Sequence, residues 1–159
     1  MPTKTQEIIA KLMENLQTAA NHYEDMAVVQ SVGYDADENY FPVIRDSGGN
    51  PIQKDIVLVV SSQPATEIAT DMLNGAVRIV LPINISCMVA KQHGAANVAF
   101  LRHAEDVIAA AMLATARNVC DVTCVCRTGS SKIMDKSYII EKELIFSFYC
   151  VPESLQEFD

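Results

Sequence analysis

Apolar residues recur three and four positions apart in two parts of the chain. The first stripe consists of Ile8, Ile9, Leu12, Met13, Leu16, Ala19, Ala20 and Tyr23. The second consists of Leu101, Ala104, Ile108, Met112 and Thr115. This spacing places each stripe on one side of a helix and predicts helices over about residues 4–23 and 98–118. Thr3 and Gln6 stand at the spacing of a capping box at the start of the first helix, and Asn97 is the predicted cap of the second.

Alternation of apolar and other residues predicts one long strand over residues 76–90. Its odd-numbered residues from Val77 to Val89 are all apolar and therefore share a face. Pro82 removes a ladder donor and predicts a sheet edge or a bulge at that point, and Pro42 predicts an edge for its own strand. Further strands are predicted over residues 26–32, 40–46, 52–60, 119–127 and 138–151.

Glycine and proline mark the connections between these segments. Ser47–Pro51 contains two glycines and a proline, which predict a tight turn. Residues 65–73, followed by Asn74-Gly75, predict a short helix that ends in a left-handed cap. Thr128–Lys132 predicts a long connection between the last two strands.

The order of the predicted elements is helix, strands, short helix, long strand, helix, strand, strand. This order predicts an α+β fold: a mixed, mainly antiparallel sheet with an N-terminal helix and a second long helix packed on one side. Residues 1–151 are predicted to form a single domain, because a chain of this length can bury one sizeable core. Residues 152–159 follow as an acidic C-terminal tail.

Composition and charge exclude several classes of protein. Hydrophobic residues make up 50% of the chain, which excludes a disordered protein. The net charge of −8 argues against free-standing nucleic-acid binding, since phosphate contact requires a clustered basic surface. No apolar stretch approaches the ~20 residues of a membrane helix. The first residues lack the apolar segment of a secretory signal, so we expect synthesis in a reducing cytoplasm.

Three cysteines come close together in sequence. On the predicted strand, Cys120, Cys124 and Cys126 share a face with Val122, where free cysteines act as small core hydrophobes. A zinc site usually uses CxxC pairs, and the chain has none, so we predict no metal and no cofactor.

The sequence carries no recognisable catalytic motif. It lacks the phosphate-loop, nucleophile-elbow, zinc-protease and dinucleotide patterns, and none of its histidines stands next to a cysteine. These histidines, which are His22, His93 and His103, are predicted to lie on the surface or at caps. We therefore predict no catalytic residues and no enzymatic activity.

Polar side chains on two strands are candidates for contacts with a partner. Arg78 and Asn84 lie on the wetter face of the long strand, and Glu141 and Glu143 share a face of the last strand. With Asp121, the two glutamates form either a solvated face or an acidic stripe toward a lumen or a basic partner. Leu155 and Phe158 in the acidic tail complete the candidate oligomer or partner contacts.

The two longest predicted strands exceed the expected width of the molecule. At ~3.3 Å per residue they span about 50 Å and about 46 Å, whereas a compact chain of this length has a diameter of about 39 Å. We expect them to overhang or bend, which exposes unpaired backbone and apolar side chains that a neighbouring subunit would cover.

The order Ala76–Lys91, Val98–Asn118, Val119–Arg127 and Tyr138–Val151 resembles that of the tail terminator, or tail-completion, proteins of long-tailed bacteriophages. The resemblance covers roughly residues 4–151 and is one of architecture. It implies a structural virion protein that forms a ring, usually a hexamer, caps the tail tube, halts its polymerisation and joins the tail to the neck of the filled head.

The same resemblance implies where the protein acts and with what. Its place would be the tail–neck junction of the virion, after assembly in the bacterial host cytoplasm. Its partners would be copies of itself, the tail-tube protein and neck proteins, with viral DNA passing through the lumen without specific binding and no membrane involved. Two alternatives remain open: a head-side connector or other neck-ring protein, and a small cytosolic ligand-binding or enzyme domain with Cys126 and Arg127 as first candidates.

Overall fold

The computed structural model describes residues 3–30, 35–36, 42–45, 47–52, 54–62, 67–71, 76–90, 96–133 and 137–150. Along this part of the chain the elements are α1 (Lys4–Ala20), β1 (Met26–Gln30), β2 (Asp35–Ala36), β3 (Pro42–Arg45), β4 (Pro51–Ile52), β5 (Ile56–Ser62), β6 (Glu67–Asp71), β7 (Ala76–Ala90), α2 (Ala96–Asn118), β8 (Val122–Ile133) and β9 (Ser137–Cys150). The predicted tail, residues 152–159, lies outside the described residues.

Six of the described strands form the main sheet. Five of them lie in the order β1-β5-β7-β9-β8, and β6 pairs with β7 on the same side as β5, in line with it. The β1–β5 pair is parallel and the other pairs are antiparallel. The strands β2, β3 and β4 form a separate small sheet. The α+β prediction with a mixed, mainly antiparallel sheet is confirmed.

Both helices pack on one face of the main sheet. The core joins α1, α2 and the inward residues of β5, β7, β8 and β9, including Ile8, Leu12, Ala104, Ile108, Leu58, Ile83 and Phe146. Alanines at 104 and 111 of α2 are buried, so little side-chain bulk separates this helix from its neighbours. Ile56–Val60 is buried throughout, as its apolar character on both faces predicts.

Polar contacts fix the helices to one another. The hydroxyl of Thr115 donates to the carbonyl oxygen of Ala111 at 2.7 Å and accepts from Nδ2 of Asn15 on α1 at 3.0 Å. The rings of Tyr23 and His103 stack with centroids 4.7 Å apart. A buried hydroxyl in the core is thereby satisfied from both sides.

The predicted helix boundaries are close to those observed. Thr3 and Gln6 form the capping box: the Thr3 hydroxyl accepts from the Gln6 backbone N–H at 3.2 Å, and the Gln6 side chain accepts from the Thr3 N–H at 2.9 Å. The first helix ends at Ala20, three residues before the predicted end. The second begins at Ala96, so Asn97 lies inside the helix and is not its cap.

The short helix predicted over residues 65–73 is wrong. Glu67–Asp71 is strand β6, antiparallel to β7, with Ile68 opposite Ile79. A short apolar run does not distinguish helix from strand. Pairing with β7 makes residues 67–71 a strand, because β7 extends beyond β5 and its backbone from residue 76 to 80 needs a partner. Much of the overhang predicted for β7 is therefore covered by the chain itself.

Neither Pro42 nor Pro82 lies in an edge strand of its sheet, but in the registers of the described strands each is paired on one side only. Pro42 begins β3, which lies between β2 and β4, and the first position of a strand tolerates proline. Pro82 lies in an interior strand whose register to β9 is continuous. It is tolerated where the other side of β7 changes from β6, paired up to Val80, to β5, paired from Ile83. The predicted turn before Pro51 is confirmed, with Gly49 at φ +81°.

The connection predicted at Thr128–Lys132 is part of β8. In the register with β9, Gly129 and Ser130 together face Glu141, which defines a β-bulge. A Cβ added at Gly129 would lie 3.1 Å from Cβ of Glu141, so a larger residue here would have to displace Glu141 by a few tenths of an ångström. Turn-forming residues here produce the bulge rather than a loop.

Neither described helix has the length and apolar character that crossing a membrane requires.

Candidate functional site

The two faces of the main sheet differ in what covers them. The helix face carries Leu81, Ile83, Leu144, Phe146 and their neighbours, which are buried beneath the helices. We call the opposite side the open face, because Val125 and Tyr149 are exposed there, although Val57, Val59 and Ile139 on the same side are buried. It carries the even-numbered residues of β7 and the odd-numbered residues of β9, with which Thr123, Val125 and Arg127 of β8 are in register.

A polar cluster occupies the middle of the open face. Nδ2 of Asn84 and Oγ of Ser86 both donate to Oε2 of Glu141, at 2.6 and 2.8 Å. Glu143 lies directly opposite Asn84 in the register. The structure thus brings together three of the predicted contact residues, Asn84, Glu141 and Glu143, on one face. Hydrogen bonds to a carboxylate are among the stronger ones in proteins, so Glu141 is held in a fixed position.

The bulge of β8 lies directly against this cluster. Besides the Cβ contact, the Cβ added at Gly129 would lie 3.3 Å from the carbonyl oxygen of Glu141. The backbone of β8 therefore packs tightly on the residue whose carboxylate the cluster holds. The sequence predicts Glu141 as a contact residue but neither the role of Ser86 nor the bulge, since the register between distant strands sets both contacts.

Apolar side chains are exposed at one end of the open face. Val125 is 59% exposed and Tyr149 is 56% exposed. Half-buried Val80, Pro82 and Ile145 lie among them, because Pro82, Ile145 and Val125 face one another across three strands. We call these five residues the open-face patch. The hydroxyls of Thr123 and Ser147 lie 2.7 Å apart within this patch.

The remaining predicted contact residues lie around this patch or outside it. Arg78 is half-buried and faces Tyr149 in the register. Asp121 lies in the turn before β8 with φ +58° and is not part of the acidic face of the strands. Leu155 and Phe158 lie outside the described residues. The acidic stripe is therefore reduced to Glu141 and Glu143, of which Glu141 is hydrogen-bonded.

The cysteines do not form the predicted row. Cys120 lies in the turn before β8 and is exposed, because the strand begins only at Val122. Cys124 is half-buried against the core and Cys126 is exposed, so only part of the core prediction is confirmed. Within the described residues, no group of three His, Cys, Asp or Glu side chains is placed to hold a metal ion.

A half-open cavity of about 170 Å³ lies between α2 and the sheet. It is lined by Glu105, Ile108, Ala109, Met112, Cys126 and Lys142. The buried ammonium of Lys142 donates to the Thr128 hydroxyl at 2.9 Å and lies 3.7 Å from the Glu105 carboxylate. Lys142 is the one polar residue that the sequence places in the apolar row of β9, and its partners come from two other elements.

The thiols of this region are poor nucleophiles. Burial raises the pKa of Cys87 to about 12 and that of Cys124 to about 12. Burial also raises the pKa of Cys126, although Lys142 nearby lowers it. A nucleophilic cysteine requires a depressed pKa, so this arrangement does not activate the thiol. His103 stacks on Tyr23, His22 is exposed, and His93 lies outside the described residues.

No protein-family model matches the chain, and no curated protein sequence matches it either. The functional interpretation therefore depends on the two features described above: the open face with its polar cluster and exposed patch, and the small cavity on the helix side.

Proposed function

We propose that the chain is a structural ring subunit of a long-tailed phage that ends the tail tube and joins it to the head. The observation that carries this proposal is the open-face patch. The strands β7 and β9 pair without interruption from Val77 to Ala90 and support a surface on which Val125 and Tyr149 are more than half exposed. Exposed apolar side chains on one face of a sheet, here with the hydroxyls of Thr123 and Ser147 between them, favour a surface for another protein.

The edges of the main sheet support self-association. Among the described strands, β8 and β1 end the order of the sheet, and β8 is 12 residues long. An edge strand presents unpaired backbone groups, which a strand of a second subunit can complete. The side chains of β8 from Val125 to Thr128 are exposed, so a neighbour can reach this edge.

The charge of the chain suits a channel for DNA. Six copies at −8 each carry −48, and an acidic wall repels phosphate, whereas a basic groove would retain it. The same charge opposes assembly, so the contacts between subunits must be mainly apolar. Self-association is therefore expected to strengthen as salt screens the repulsion.

Sedimentation velocity and negative-stain electron microscopy of the purified chain test the proposal. We expect rings, with at least tenfold weaker assembly when Val125→Glu and Tyr149→Glu are combined. Leu113→Glu is the matched control, since Leu113 on α2 is 51% exposed but lies on the helix side. Only monomer at high protein and salt concentration, with tail-tube protein also present, would contradict the proposal.

A head-side connector or another neck-ring protein is the near alternative, because it makes the same demand for a ring. Pull-down experiments with tail-tube protein and with head-side components separate the two. We expect the tail-tube protein to bind and its binding to fall with the Tyr149→Glu variant. Retention of head-side components alone would favour the connector.

The cavity beside Lys142 favours a second candidate function, a small ligand-binding domain. Its volume of about 170 Å³ is enough for a benzene-sized molecule, since an engineered apolar cavity of about 150 Å³ binds benzene. A thermal-shift screen of small aromatic and carboxylate fragments tests this function, with Cys126→Ser and Met112→Ala as site variants. A rise in melting temperature that both variants abolish would favour a ligand, and no rise would remove this candidate.

A further inference from the structure

The open-face patch exposes Val125 and Tyr149, and the chain itself contains a segment with apolar residues that can cover them. Nine residues, Val151 to Asp159, follow β9 outside the described part of the structure. They include the apolar residues Leu155 and Phe158, the acids Glu153, Glu157 and Asp159, and no basic residue. We infer that this segment docks on the open-face patch of a neighbouring copy of the chain. The inference rests on the proposed ring and names one contact within it.

The place where β9 ends supports this assignment. Cys150 is the last residue of β9 and follows Tyr149 of the patch. Both flanks of β9 are already paired, with β7 on one side and β8 on the other. The segment after Cys150 therefore cannot pair with β9 itself.

The reach of the segment favours a neighbouring copy over the same chain. At ~3.3 Å per residue, nine residues span about 30 Å, which carries Leu155 about 16 Å and Phe158 about 26 Å past Cys150. The chain's own patch lies in the opposite direction, beside residues 145–149 of β9. Docking within one chain would require the segment to reverse direction directly after the strand, whereas docking on a neighbouring copy does not require that reversal.

The chemistry of the two surfaces is complementary. The patch offers Val125, Tyr149 and Ile145 for the apolar side chains of the segment, and burial of apolar surface favours association. Arg127 flanks the patch, in register with Glu143. Its positive charge is placed to attract the acids of the segment, although Glu143 competes for it.

Photo-crosslinking in the full-length chain tests the inference. Phe158 is replaced by p-benzoylphenylalanine, and isotopically heavy and light chains are mixed before irradiation. We expect crosslinked peptides that contain Val125 or Tyr149, with heavy–light pairs among them. Crosslinks that join only residues of the same chain would overturn the inference. Crosslinks that include no residue of β8 or β9 would overturn it as well. The same photo-reactive residue at Leu113 is the control, and it should not crosslink to the patch.

Sedimentation of full-length variants provides the second arm. We expect Leu155→Ser combined with Phe158→Ser to weaken self-association about tenfold. Adding Tyr149→Ser to these two should weaken it little further, because both changes remove the same contact. The Leu113→Ser control should assemble like the wild type. Fully additive effects of the tail and patch variants would show that the two surfaces do not meet.

The outcomes separate this inference from the ring proposal. Rings that are unaffected by the changes at Leu155 and Phe158 would leave the ring proposal standing and overturn the docking of the tail. Monomer under all conditions, without heavy–light crosslinks, would overturn both. Heavy–light crosslinks in particles other than rings would support the docking contact and contradict the ring.

Discussion

The helix face and the open face of one sheet differ in how far the side chains of the same strand are buried. On β9, Phe146 and Phe148 are buried beneath the helices, while Tyr149, their neighbour in sequence, is more than half exposed. The helix face is filled by apolar contacts, and the open face is held in its middle by hydrogen bonds to Glu141. The first face stabilises the subunit, and we assign the second to contacts with other subunits.

Replacing one aromatic residue on each face with alanine gives the sharpest test of this comparison. Phe146→Ala should lower the free energy of unfolding by about 3–5 kcal/mol, because it leaves a cavity in the core. Tyr149→Ala should lower it by less than about 0.5 kcal/mol in the monomer, as at other surface positions. Urea unfolding at low protein concentration measures both. A large loss for Tyr149→Ala would show that the open face is covered within one subunit.

The bulge of β8 is the next most sensitive feature. Gly129→Ala should destabilise the protein by about 1–3 kcal/mol, because its Cβ meets Cβ and the carbonyl oxygen of Glu141. Ser131→Ala, two residues further along the same strand and exposed, is the control and should change stability by less than about 0.5 kcal/mol. Equal stability of the two variants would mean that β8 moves away from β9 without cost.

The polar cluster should contribute less than the bulge. Glu141→Ala should cost about 1–2 kcal/mol, because the donors of Asn84 and Ser86 lose their acceptor in a half-buried place. Glu141→Gln keeps an acceptor oxygen and should cost less than half as much. Urea unfolding of both variants distinguishes a hydrogen-bonding role from mere bulk. If Gln is as damaging as Ala, the charge of the carboxylate, and not an acceptor oxygen alone, stabilises the cluster.

Alkaline pH should produce the smallest effect, and only through the helix face. The pKa of Cys87 is near 12 in the folded chain, above the value of 9.0 that applies without burial. The unfolded chain therefore loses its proton first, so this thiol's contribution is complete below pH 9 and is lost between pH 9 and 12. Cys87→Ala should reduce the fall in unfolding free energy from pH 8 to pH 10 by about 1 kcal/mol.

The control for that measurement is Cys120→Ala, because Cys120 is exposed in the turn before β8. At neutral pH, labelling with a thiol reagent followed by peptide mapping should modify Cys120 well before Cys87. Rapid labelling of Cys87 in the folded chain would contradict the burial of the helix face.

Local patterns were sufficient where one residue spacing determines the structure. The alternation from Val77 to Val89 predicts β7, and the stripe from Ile8 to Ala20 predicts α1. Patterns failed where pairing with a distant segment decides. Residues 67–71 form a strand because β7 offers a partner, and residues 128–132 continue β8 because β9 is long enough to pair with them.

The candidate site was predictable in part for the same reason. Alternation alone assigns Asn84 and Glu141 to faces of their own strands. That these faces coincide, and that Ser86 completes the cluster, follows from the register of strands more than 50 positions apart in sequence. The cavity joins Glu105, Cys126 and Lys142 from three elements, and no spacing in the sequence predicts their convergence.

The pairing of β7 with β9 also sets the order in which the protein can fold. These strands are separated by α2 and β8, and β9 is the last described element of the chain. During synthesis β7 is made long before β9, its longest partner. One side of the backbone of this apolar strand therefore stays unpaired until β9 has been made. Contacts so distant in sequence slow folding and expose intermediates to aggregation. We therefore expect the nascent chain to depend on chaperones until β9 emerges from the ribosome.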